Sequence, residues 1–275
     1  MSTTAGNGPK RSIFITGGGS GIGRATAWYF AERGWFVGIS DIDVTGMEDT
    51  LGHIEGGFKY MHKHDVRDRE GWDTALEAFS TAAGGRIDAM VNNAGIGTGG
   101  ALADMDVDEI DRCLDINLKG VLYGAQAVYP HLKKTAPGSA LVNIASAAGI
   151  NGNSGMSVYC ATKFGVRAVA ESLDAEWAED GIKVSSVCPS FIDTPLLDGT
   201  GNRHSNERVR DAVTAAGLEI TPVAEVAETI WNAVHGDDLH YVVGKTAKQL
   251  NFAKRWMPGR IRKQGRSAAR SLLGR

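Results

Sequence analysis

Residues 13–24 read IFITGGGSGIGR, and the fold turns on how this stretch is read. Ile13, Phe14 and Ile15 form a short apolar run of the kind that becomes a buried strand. Five glycines follow between Gly17 and Gly23, and then Ala25 to Phe30 is compatible with a helix. Strand, glycine turn and helix in that order set a helix N-terminus against a phosphate: glycines let the backbone approach the ligand, and the free N–H groups favour negative charge. The spacing is Gly17-x-x-x-Gly21-x-Gly23 rather than the common G-x-G-x-x-G. A glycine cluster alone also suits a plain tight turn, so the rest of the chain has to decide.

Working outward, the first helix is expected to stop near Gly34, and residues 35–40 (WFVGIS) read as a second strand ending at Asp41. A carboxylate at that strand end is placed to accept hydrogen bonds from a ribose diol and to repel a 2′-phosphate. Neither Ser40 nor Ile42 is basic, so the pattern favours NAD over NADP. Further strands are expected at 60–64, 87–91, 139–144, 183–187 and 240–243. Helices are expected at 69–83, 109–127, 157–177 and 224–233. This alternation predicts an α/β fold, a Rossmann-like doubly wound, mostly parallel β-sheet flanked by helices on both faces. Residues 11–244 form one NAD-binding catalytic domain in this reading, after a flexible N-terminus at 1–10 and before a basic C-terminal extension at 245–275.

At 275 residues and 43% hydrophobic the chain can bury one substantial core, and no apolar run approaches the ~18 residues of a membrane span. The polar start lacks a signal-peptide core. Cys113, Cys160 and Cys188 are odd in number and far apart, which suits reduced thiols in a cytoplasmic protein. His62 and His64 would share a strand face, but no Cys or further His joins them, so no metal site is expected.

Tyr159 and Lys163 are four residues apart, one helical turn on one face. A phenol is a poor base near neutrality, and a neighbouring ammonium is expected to stabilise the phenolate and lower its pKa. Ser146, at a strand end, can offer a hydroxyl to the same substrate oxygen.

With those residues in hand, the sequence resembles the compact short-chain dehydrogenase/reductase family. The resemblance rests on Thr16-Gly17-x-x-x-Gly21-x-Gly23, Asp41, Asp65-Val66, Asn92-Asn93-Ala94-Gly95, Asn117, Ser146 and Tyr159-Cys160-Ala161-Thr162-Lys163, in family order across residues 11–194. It implies an oxidoreductase that moves a hydride between a nicotinamide cofactor and an alcohol or a ketone or aldehyde. Tyr159 would be the acid/base, Ser146 would hold the substrate oxygen, Lys163 would hold the nicotinamide ribose, and Asn117 would fix a relay water. It places Gly17, Ser20, Gly21, Ile22 and Gly23 around the pyrophosphate, Asp41 on the adenosine ribose, and Asp65 and Val66 at the adenine. Asn92, Ala94 and Gly95 would flank the cofactor between them, Ile192 and Thr194 would meet the carboxamide, and Pro189 would border the nicotinamide. It also implies a homodimer or homotetramer, with a substrate lid at about 195–218. The family often has Pro-Gly where this chain has Pro189-Ser190, so Ser190 brings a Cβ and a hydroxyl to that wall. Cys160 has no activating partner in the sequence and reads as packing. Sugar epimerases and dehydratases of related fold usually differ in glycine spacing and carry a larger substrate region.

The tail stands apart. Residues 245–275 carry ten Lys or Arg and no Asp or Glu, which leaves 19 basic against 32 acidic residues in the rest, a net −13. Leu250, Phe252, Trp256, Met257 and Ile261 interleave with the cations, and Pro258-Gly259 divides the segment into two pieces. Such a segment can lie peripherally on anionic lipid, pack on a partner subunit, or stay as a surface-docked or partly disordered tail. Nucleic acid is disfavoured by the acidic body. Two non-catalytic readings of the same fold remain beside the enzyme: a dinucleotide sensor and a lipid-surface binding protein.

Overall fold

A computed structural model describes residues 11–201 and 207–272. The fully buried β1 (Ser12–Thr16) turns into α1 (Gly21–Ala31), which returns to β2 (Phe36–Asp41). Then come α2 (Val44–Gly52), β3 (Lys59–Lys63), α3 (Arg69–Ala82) and β4 (Ala89–Asn92). The second half runs α4 (Val107–Leu114), α5 (Gly120–Thr135), β5 (Ser139–Ile144), α6 (Ser157–Trp177) and β6 (Ile182–Pro189). It closes with α7 (Val209–Ala215), α8 (Val223–His235), β7 (His240–Val243), α9 (Lys245–Trp256) and α10 (Pro258–Leu272).

The sheet order is β3-β2-β1-β4-β5-β6-β7, and every pairing is parallel. Apolar strands covered on both faces are what a parallel sheet requires. Phe30 from α1 and Ile230 from α8 pack on one face, while Trp72 and Phe79 from α3 and Leu132 from α5 pack on the other. The chain winds outward from β1 to β3, then crosses back to β4 on the far side of β1. Between the carboxyl ends of β1 and β4 a crevice opens, the place where such sheets take ligands.

Several elements differ from the sequence reading, among them α7, a helix inside the expected lid. α2 was not expected: Asp43 accepts from the Gly46 N–H at 3.0 Å and starts a helix the short polar stretch conceals. The helix expected at 109–127 is longer and interrupted. It begins at Val107, widens into one π turn at Asp115–Lys119, and runs past Pro130 to Thr135. The tail is helical, divided at Met257 into α9 and α10. The 1–10 segment and residues 202–206 of the expected lid lie outside the described residues.

Candidate active site

The glycine turn is built by close approach. Gly17 and Gly21 have φ of 68° and 50°, where a side chain would be strained. A Cβ on Gly17 would stand 2.8 Å from Asn93 Nδ2, and one on Gly23 would collide with the Gly17 carbonyl. Asn93 clamps the turn: its Nδ2 donates to the carbonyls of Thr16 and Gly17, at 2.8 and 3.2 Å. Thr16 Oγ1 accepts from the backbone N–H of both Asn93 and Ala94. At the start of α1 the Ser20 side chain makes no capping bond, which leaves the helix end open to a ligand.

Asp41 faces that turn. Its carboxylate accepts from the Gly19 N–H at 2.9 Å and the Asp43 N–H at 3.0 Å. Next along the wall, Arg67 grips Asp65 bidentately and holds that carboxyl below its ordinary range. His64 is buried against Trp72, burial pushes its pKa down, and its Nδ1 has no partner.

At the other end, Ser146 Oγ accepts from the Ala148 N–H at 3.1 Å, and its hydroxyl lies beside the Tyr159 phenol, on which it acts to lower the pKa. Lys163 sits with its Nζ 5.7 Å from the Tyr159 ring centroid and donates to the Ile144 carbonyl at 2.9 Å. Burial pushes the tyrosine up to about 12 and the lysine down to about 8. Against the expectation that Lys163 lowers the phenol, desolvation raises it here, and the opposing influence on Tyr159 comes from Ser146.

Both ends belong to one cavity of about 750 Å³. It is lined by Gly17, Ser20, Gly21, Ile22, Asp41, Asp65, Val66, Ala94, Gly95, Ser146, Tyr159, Lys163, Pro189, Ile192 and Thr194. Three expected residues do not line it. Gly23 packs beneath Gly17. Asn92 turns its amide inward, to Asn143 Oδ1 at 2.9 Å and the Val121 carbonyl. Asn117 is 0% exposed and clamps Ile96, donating to its carbonyl and accepting from its N–H, both at 2.8 Å. It stands in the π turn, with its side-chain amide engaged on the Ile96 loop. Sequence reasoning missed Asn93, His64, Arg67 and Ser40 in this wall. For Asn93 the signal was its place between Asn92 and Ala94; for Ser40 and His64 it was adjacency to Asp41 and Asp65. Ser190 also lines the cavity, its hydroxyl buried without a partner, as is that of Ser40.

The family model described as short chain dehydrogenase matches residues 11–204. Among curated proteins, the chain is 38% identical to the probable oxidoreductase EphD of Mycobacterium tuberculosis over 69% of this chain and 32% of that protein. The chain thus spans about a third of the length of those first relatives. It is 31% identical to the uncharacterized oxidoreductase YxbG of Bacillus subtilis, over 92% of this chain and 94% of that one. It is 37% identical to the 3-oxoacyl-[acyl-carrier-protein] reductase FabG of Thermotoga maritima, over 67% and 75%. Among solved structures, a 3-ketoacyl-(acyl-carrier-protein) reductase from Brucella melitensis complexed with NADH superposes with a TM-score of 0.75 and 28% identity, over 86% of this chain and 98% of that chain.

Proposed function

Because this chain belongs to the short-chain dehydrogenase family, we propose that it is an oxidoreductase moving a hydride between a nicotinamide cofactor and a small alcohol or carbonyl substrate, with NAD preferred and Tyr159 exchanging the oxygen-bound proton. The observation that carries this reading is one cavity with the Ser146–Tyr159 hydroxyl pair at one end and the glycine turn with Asp41 at the other.

The residues fit such a cofactor. The turn leaves no room for a Cβ at Gly17, and the unpartnered hydroxyls of Ser40 and Ser190 await acceptors or donors in the cavity wall. Gly17, Ser20, Gly21 and Ile22 would hold the pyrophosphate on the open end of α1, Asp41 the adenosine ribose, and Lys163 the nicotinamide ribose. Preference for NAD rests on Asp41, with two nearby guanidiniums among the described residues already engaged. Arg24 is spent on Asp49, Thr50 and the Gly19 carbonyl, and Arg67 on Asp65.

Bound there, the nicotinamide ring supplies the hydride acceptor or donor. Ser146 orients the substrate oxygen. Tyr159, with its pKa near 12, is a protonated phenol at neutral pH and is set to donate to a carbonyl oxygen as that oxygen becomes an alcohol. The Lys163 ammonium, one turn away, offsets the charge left on the phenolate oxygen. Ile96, Leu196 and Leu197 contribute apolar side chains to the wall, so apolar ketones and 3-oxoacyl thioesters are the first substrates to try. A dimer or tetramer is expected by light scattering.

The test begins with tryptophan-quench titration of NADH and NADPH against wild type and Asp41→Ala. Wild type should bind NADH more tightly, and the variant should narrow the gap; binding of neither cofactor would sink the reading. Tyr159→Phe should keep NADH affinity and lose turnover by about 100-fold or more. Turnover lost with NADH binding kept would exclude a dinucleotide sensor, and unchanged turnover would exclude Tyr159 as the acid/base.

A further inference from the structure

The basic tail is docked on one side and bare on the other. Ala247 of α9 is fully buried, Leu250 packs against the cluster of Ala145, Ile150 and Val166, and Lys254 Nζ donates to Asn151 Oδ1 at 3.1 Å. Phe252 and Trp256, one turn apart, fall across the helix axis from Ala247 and Leu250. They are 61% and 65% exposed. The same angular reckoning puts Lys245, Lys248 and Arg255 on this outward side, and the Arg255 guanidinium lies 5.4 Å from the centre of the Trp256 ring. α10 adds Arg260, Arg262, Lys263 and Arg266, all exposed. Among the described residues no cation between Lys245 and Arg266 makes an ion pair, although the body is acidic.

We propose that the outward face of α9, continued by α10, docks on an anionic lipid surface. Indole and phenyl rings flanked by lysine and arginine match a bilayer interface, the rings entering at headgroup level and the cations meeting lipid phosphates. Charge complementarity carries the choice: the segment holds ten cations and no anion, and juxtamembrane cations each add to binding on anionic lipid. Protein interfaces, by contrast, are depleted in lysine, and this face presents lysines around its aromatics. Docking would also hold the segment that begins at Ser146, on which α9 leans, roughly one helix diameter (~10 Å) from the lipid.

Co-sedimentation of the full chain with vesicles tests this, comparing phosphatidylglycerol–phosphatidylcholine mixtures with pure phosphatidylcholine at low and high salt. The mixture should bind at least about tenfold more tightly, and high salt should erase the difference. The double variants Phe252→Ser/Trp256→Ser and Lys248→Gln/Arg255→Gln should each lose about tenfold or more in affinity at unchanged melting temperature. No binding of wild type to the anionic vesicles would overturn the proposal, as would wild-type binding by the serine variant. A serine variant that changes oligomer size, with no vesicle binding by wild type, would also overturn it and give the face to a second copy of the chain.

Discussion

Burial acts on Tyr159 and Lys163 in opposite directions, because it penalises whichever form is charged. The phenol is driven up to about 12 and the ammonium down to about 8. Between pH 8 and 10 the folded lysine has released a proton that the unfolded chain still holds, so stability gained from this group rises with pH there. Above pH 10 the tyrosine reverses the sign, since the folded state then keeps a proton the unfolded chain loses. Comparing denaturant midpoints of wild type and Lys163→Met at pH 7.5 and 9.5 should therefore show wild type gaining on the variant as pH rises, since the buried cysteines act on both alike. For turnover, carbonyl reduction should fall as pH passes about 8, when Lys163 becomes neutral, and a flat profile up to pH 10 would exclude a role for its charge. Ser190 offers a smaller effect. Its hydroxyl is buried without a partner, so Ser190→Ala should leave stability unchanged or raise it by about 1 kcal/mol, read as a melting temperature that does not drop.

At the level of elements, the site depends on contacts that hold loops still. The β1–α1 turn is pinned by Asn93 and closed by Gly23 beneath it. Gly23→Ala would force α1 off the turn, costing about 1–3 kcal/mol by overpacking and weakening cofactor binding more than Ser20→Ala does. Beyond β6, Arg210 of α7 ties three points together: Asp193 and Asp198 at 2.7 Å each, and the Thr194 carbonyl at 3.4 Å. Thr194 in turn stands over Gly21. Arg210→Ala should raise the Kd for NADH several-fold with little change in melting temperature, because an exposed ion pair positions a loop more than it stabilises a fold. An unchanged Kd would show that the loop needs no clasp.

Across the whole molecule, charge and packing divide at Gly244. The sheet ends with β7, and α9 is held to it by Ala247 and Leu250, whereas α10 is exposed along nearly all its described length. A chain ending at Trp256 should melt close to wild type. One ending at Gly244 should lose about 2 kcal/mol, the burial of those two side chains. Equal melting of both would mean that α9 contributes no packing.

Much of this was legible in the sequence because it is local. Apolar runs gave the strands, glycine spacing gave the turn, and the four-residue step from Tyr159 to Lys163 gave a shared face. Asp41 was readable because a strand end fixes where a side chain goes. Tertiary structure decided what depends on neighbours distant in the chain. All four residues of β4 are buried, so no polar alternation marked Asn92 as turning into the core and Asn93 as reaching the glycine turn. Asn117 was recognisable by position, but its clamp on Ile96 exists only because a π turn brings two segments together. The direction of the Tyr159 and Lys163 shifts was hidden for the same reason: spacing brings the two groups together, while desolvation depends on everything packed around them.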